Sequence, residues 1–118
     1  MEKLVSWVEV PAIKFDRAVG FYNSVFKLDL QKNDYGKEKM AFFPEGEGAI
    51  SFAENFKPSE NGVLVSFNVP DSIDETIVRI EKGGGSVLQP KTKIEAPERD
   101  FFAVCLDSES NRIGLYGK

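Results

Sequence analysis

The sequence predicts an α+β chain built from two βαβββ modules, and three observations carry the prediction. The stretch Phe15–Leu30, FDRAVGFYNSVFKLDL, reads as a short amphipathic helix running into a strand. A weaker copy of that pattern recurs from Ser72 to Leu88. Strand-like segments flank both helices in the same order, so an internal duplication is the simplest account.

Each element has its own reason. Leu4–Val10, LVSWVEV, alternates and is rich in β-branched and aromatic residues, which predicts a strand ended by Pro11. Val8 and Val10 share one face, Trp7 and Glu9 the other. A helix starts near Phe15 or Asp16, where the aspartate favours the first turn. Ala18, Phe21, Tyr22 and Val25 follow i, i+3, i+4, i+7 spacing and form one apolar stripe, with Gly20 on the opposite side. A strand is expected at Leu28–Lys32, a turn through Asn33–Gly36, then strands Lys39–Phe43 and Ala49–Ala53 around the acidic turn Glu45–Glu47. Polar Asn55–Gly62 reads as the connection between modules.

The second module follows the same order. Val63–Val69 is a strand ended by Pro70, and Ser72-Ile73-Asp74-Glu75 matches a capping box. Ile73, Ile77 and Ile80 stripe the helix, which stops at Gly83-Gly84-Gly85, the first glycine suited to a left-handed cap. Ser86–Gln89, the charged segment Pro90–Arg99 (a lid or a solvated loop), Phe101–Leu106, a turn at Asp107–Asn111 and Arg112–Tyr116 complete it. Laying Val10-Pro11 on Val69-Pro70, Met40-Ala41 on Phe102-Ala103 and Ile50-Ser51-Phe52 on Ile113-Gly114-Leu115 aligns the copies. The expected organisation is one domain over 1–118, with modules at about 1–54 and 63–118.

Composition narrows the function classes. With 118 residues, 42% hydrophobic and 29% charged, the chain has material for a core without disulfide or metal staples. A net charge of −4, with no basic run, argues against nucleic acid and anionic membrane as partners. One cysteine, Cys105, excludes an internal disulfide and fits a reducing compartment. The start MEKLVSWVEV holds no apolar run long enough for a signal peptide or a span, so a cytoplasmic setting is expected. Histidine is absent, which removes Ser-His-Asp and Cys-His activation, the HExxH zinc helix and any imidazole ligand.

Glu9-Val10-Pro11, Asp16-Arg17-Ala18, Phe21-Tyr22, Val25-Phe26-Lys27-Leu28 and the ending Asp107-Ser108-Glu109-Ser110-Asn111-Arg112-Ile113-Gly114-Leu115 together resemble the vicinal oxygen chelate superfamily of glyoxalase I, bleomycin-resistance proteins and extradiol dioxygenases. The ending is similar to the family's D-P-x-G-N-x-I-x-L. Lys14 departs from an acidic helix cap, and Ser108 and Ser110 stand for the usual proline and glycine. The resemblance implies a cupped mixed β-sheet with both helices on its outer face, and a chain that pairs as a homodimer. In metal-using members the first and last strand of each module supply the ligands, at positions that correspond here to Trp7, Ser51, Leu64 and Gly114. An indole, a lone hydroxyl, an isobutyl group and a hydrogen do not make a site for a divalent ion, so neither metal nor other cofactor is expected.

Alternation from those positions assigns Trp7, Glu9, Ser51, Ala53, Leu64, Ser66, Asn68, Gly114 and Tyr116 to the cup. Val8, Val10, Ile50, Phe52, Val65, Phe67, Val69, Ile113 and Leu115 are left under the helices. Glu9, the one ionisable group of the cup set, is either a catalytic acid/base or anchor for a cationic ligand, or a solvated strand carboxylate. Trp7 and Tyr116 either stack on a planar ligand or fill the cup. Ser51, Ser66 and Asn68 orient a ligand or satisfy their neighbours. Cys105, in an apolar strand, reads as an inert buried residue. The leading expectation is a metal-free protein binding an unidentified small organic molecule. A lyase, isomerase or dioxygenase-related enzyme using Glu9 is the alternative, followed by a metal enzyme and a dimeric interaction module.

Overall fold

A computed structural model describes residues 3–97 and 100–118. The elements run β1 (Val8–Pro11), α1 (Phe15–Phe26), β2 (Lys32–Asp34), β3 (Lys39–Phe42), a 3₁₀ turn Pro44–Gly46, β4 (Gly48–Phe52), β5 (Val65–Asn68), α2 (Ile73–Lys82), β6 (Ser86–Lys93), β7 (Phe101–Leu106) and β8 (Arg112–Gly117). They form two four-stranded mixed sheets of identical topology, β1-β4-β3-β2 and β5-β8-β7-β6. In each, the first strand pairs parallel with the last and the other pairings are antiparallel. The duplicated βαβββ architecture is therefore what the chain adopts.

Val65 excepted, which lies outside the core, alternation places the core correctly. Val10, Ile50, Ile113 and Leu115 are buried with α1's Ala18, Phe21, Tyr22 and Val25, while Phe52, Phe67 and Val69 pack against them. Tyr22 is fully buried, and its ring touches Phe21, Phe26, Phe43 and Phe67. Phe67 comes from the second module, so the aromatic cluster bridges the two halves. Its rings meet at edge-on and tilted angles, with Tyr22 and Phe26 stacked, and centroids lie 5.1–6.1 Å apart.

Both ends of α1 are closed by the second module. Lys14 occupies the N-cap position and offers no acceptor. Glu109 takes that role: its Oε1 accepts from Ile13 N at 3.0 Å and Lys14 N at 2.7 Å, and its Oε2 from Arg17 Nε at 2.7 Å. At the other end Lys27 turns left-handed (φ 56°), and Arg79 Nε donates to Val25 O at 2.9 Å. Arg79 is itself held by a bidentate pair to Asp71 at 2.8 and 2.9 Å. Between them, Tyr22 donates its hydroxyl to Asp107 at 2.7 Å, and Asn111 Nδ2 donates to Pro11 O at 2.8 Å.

Several sequence expectations change. The first strand begins at Val8, leaving Leu4 to Trp7 outside it. The second is Lys32–Asp34 rather than Leu28–Lys32, because the residues after α1 complete its cap: Leu28 N donates to Asn23 O and Leu30 N to Asn23 Oδ1. Strand β5 likewise starts at Val65 rather than Val63. Gly83 has φ −85° and Gly84 φ +97°, so the second glycine takes the left-handed turn. Part of the expected Pro90–Arg99 loop is strand, since β6 continues to Lys93. Pro90 is tolerated there because β6 is an edge strand with register shifts on either side of Gln89. Glu98 and Arg99 lie outside the described residues. The hydrogen bonds closing the two parallel pairs come from Ala12 N and Val69 N, so Ala12, not Val10, is the counterpart of Val69.

Burial works against the charge on Glu109, but hydrogen bonds from Arg17, the Lys14 amide and Ser108 prevail and hold its carboxyl below the ordinary range. Asp71 is lowered further, first by Arg79 and then by the Ser72 amide and Lys27. Both folded-state values lie below the unfolded ones. Their stabilisation is complete above the ordinary carboxylate range, about pH 4, and is lost as pH falls through the folded values. Replacing Glu109 by Ala removes the acceptor of the Ile13 and Lys14 N–H groups at the entry to α1 and should cost about 2 kcal/mol in urea unfolding. Glu109→Gln, which keeps one acceptor, should cost less and flatten the acid limb of the stability–pH curve.

Candidate functional site

Among the described residues no strand pairing joins the two sheets, and β1 and β5 border a seam between them. Two clefts open along this seam, and Val8 and Val65 line both. The first, about 400 Å³, runs beside Trp7–Pro11, Phe56, Lys57, Ser59, Val63, Asn111 and Arg112. A third depression of about 320 Å³ lies on the face of the first sheet away from α1, walled by Glu9, Glu38, Met40, Ser51 and Phe56. Glu9 and Phe56 border both the first seam cleft and this depression, which makes Glu9 the polar junction between them.

Strand pairing sets the local geometry. Val10 pairs with Ile50 and Pro11 with Ser51, so Glu9 and Ser51 share the helix-free face while Val10 and Ile50 turn to the core. Ser51, 2% exposed, donates its hydroxyl to Glu9 Oε1 at 2.8 Å. Glu9 is itself exposed, and its second oxygen has no protein partner among the described residues. That arrangement can accept a proton or a hydrogen bond, or pair with a cation.

The remaining candidates divide by module. Ser66 pairs with Gly114 and Asn68 with Tyr116 on the second sheet. Leu64 is exposed just before β5, and Trp7 precedes β1 with its ring edge-on to Phe42 at 5.9 Å. Among the described residues the ring partner of Trp7 is Phe42, and no ring contact joins it to Tyr116. Sequence reasoning passed over Phe56, Lys57 and Arg112. Phe56 lay in a stretch read as mere connection, but an isolated bridge to Ala53 folds it back against the sheet; only Arg112, two residues from Gly114 on a strand, carried a parity signal.

Trp7, Ser51, Leu64 and Gly114 do not fit a divalent cation. One poor donor, the Ser51 hydroxyl, is present, and it is engaged by Glu9. A Cβ built on Gly114 would collide with the Ser66 hydroxyl, so the backbone there leaves no room for a ligating side chain unless Ser66 moves. Among the described residues no three His, Cys, Asp or Glu side chains come together. No helix among them is long and apolar enough to cross a membrane.

Cys105 is fully buried in β7, and burial, assisted by the charge of Glu81, pushes its thiol up to about 11. It is not a nucleophile at neutral pH. Native protein should resist a thiol reagent such as DTNB, and the reaction should become fast on addition of denaturant. Rapid labelling of the folded protein would contradict the burial.

A model of the Glyoxalase/Bleomycin resistance protein/Dioxygenase superfamily matches residues 4–115. No match was found among curated proteins. Among solved structures, a glyoxalase/bleomycin resistance protein from Albidiferax ferrireducens T118 is similar over 98% of this chain and 99% of its own, at 15% identity and a TM-score of 0.68. The fosfomycin resistance protein FosX from Mesorhizobium loti is similar over 100% and 93%, at 16% identity and 0.66. Glyoxalase I from Zea mays is similar over 94% of this chain but only 44% of its own, at 16% identity and 0.68. At these identities the structural likeness establishes the fold.

Proposed function

The chain belongs to the glyoxalase/bleomycin resistance protein/dioxygenase superfamily, and on that premise we propose that it binds a small organic molecule, without a metal, on the helix-free face of its first sheet around Glu9. The observation that supports this most directly is the position of the Glu9–Ser51 pair. It lies where the seam cleft and the sheet-face depression meet, between the apolar side chains of Trp7, Met40 and Phe56. Apolar walls with one or two convergent polar groups are the usual make-up of a small-molecule pocket.

Binding should raise the melting temperature as ligand concentration rises. A broad metabolite and antibiotic screen by thermal shift tests this, with Glu9→Gln as the control that should abolish the shift while leaving the unliganded melting temperature nearly unchanged. Complete absence of any concentration-dependent shift would refute the binding reading. Elemental analysis of untagged protein should find no stoichiometric metal.

A second reading follows from the free oxygen of Glu9: acid–base chemistry of a lyase or isomerase type. The same Glu9→Gln protein distinguishes it, because turnover would then vanish with only a modest change in ligand affinity. A homodimer in the cytoplasm completes the proposal. Leu4 and Val5 before β1, and Val63 and Leu64 before β5, are exposed apolar side chains that a second copy would cover, and light scattering of the purified protein tests it.

A further inference from the structure

The second seam cleft, about 320 Å³, is lined by neither Phe56 nor Lys57 and shares only Val8 and Val65 with the first. Its wall is aromatic. Tyr22 and Phe67 each touch Phe26, Phe43 and one another, and Leu28, Pro44, Val8 and Val65 extend the apolar surface. Tyr22 adds no polarity, because its hydroxyl is tied to Asp107 and burial, then the Asp107 charge, keep it protonated. Phe67 and Leu28 are only half-buried, so they present surface to the cleft rather than being sealed in the core.

The rim is different. Ser66, Asn68 and Glu47 are exposed there, and among the described residues no Lys or Arg borders the cleft. Among the described residues the Glu47 carboxylate has no ion-pair or hydrogen-bond partner. An aromatic floor sized for one or two fused rings, with a hydroxyl, an amide and one unpaired carboxylate at its mouth, is complementary to a flat apolar body carrying a positive charge.

We propose that this cleft is a second small-molecule site, separate from the Glu9 region, that takes a one- or two-ring aromatic amine. The ring lies on Phe67 and Leu28, the ammonium meets Glu47, and Ser66 and Asn68 hydrogen-bond the linking atoms. An anionic aromatic acid is rejected, since it would place a carboxylate against Glu47 with no cation to receive it.

Amide-resolved NMR titration with tryptamine, indole and indole-3-acetate tests the assignment. The expected result is saturable shifts at Phe43–Glu47 and Val65–Asn68, with tryptamine tightest and indole-3-acetate weakest. Glu47→Gln, an exposed change that leaves the fold intact, should weaken tryptamine by roughly fivefold and indole hardly at all. Asn68→Trp should fill the cleft and abolish all three titrations, while Glu9→Gln should leave them unchanged. The proposal is overturned if no probe gives saturable shifts. It is equally overturned if shifts centre on Glu9, Met40 and Phe56, or if tryptamine's advantage over indole survives Glu47→Gln.

Discussion

The carboxylate of Glu109, reaching α1 from 95 residues away, is the contact on which the rest of the arrangement depends. Helix N-termini carry unsatisfied N–H groups and a partial positive charge, and Lys14 can relieve neither. Glu109 sets a negative charge beside that end, accepts from the Ile13 and Lys14 amides that lead into the helix, and binds Arg17 besides. Arg79 brings a cation to the other end of the same helix. Opposite charges from the second module thus sit at opposite poles of a first-module helix, each favourably placed for its dipole. That clamp works with the Phe67 ring contacts and the Tyr22–Asp107 and Asn111–Pro11 bonds to hold the modules beside the two clefts, since among the described residues no strand pairing joins the sheets.

Much of this architecture was legible because it rests on local periodicity. The stripe Ala18, Phe21, Tyr22, Val25 and the alternation through Val8, Val10, Ile50 and Ile113 predicted which faces are buried, and they are. What escaped was non-local. Nothing near Lys14 announces that its missing cap is supplied by Glu109, and the Asp107–Asn111 turn reads in sequence simply as a turn. Strand ends failed where a neighbouring element claimed the residues, as the α1 cap did with Leu28 and Leu30, or where an edge position allowed Pro90 inside a strand.

The site was half legible for the same reason. Parity put Glu9 and Ser51 on one face, and strand pairing joins them by a hydrogen bond. Parity alone does not tell how two sheets approach one another. It therefore grouped Trp7 with Tyr116, although Trp7 lies ahead of the first strand and turns to Phe42. The residues that complete the clefts, Phe56 and Lys57, come from the connection between modules, where no period exists to read.

The outermost strand of each sheet has a further consequence. Strand β2 is three residues long and carries Lys32 and Asp34; β6 is interrupted by Pro90 and irregular in register, with Lys91 and Lys93 beyond it. Short, charged, proline-broken edges are poor templates for another strand. Growth of either sheet outward into fibrils or runaway polymers is thereby discouraged, and assembly is steered to the broad faces and the central seam. Colloidal behaviour at high concentration is in this sense written into the two strands farthest from any ligand.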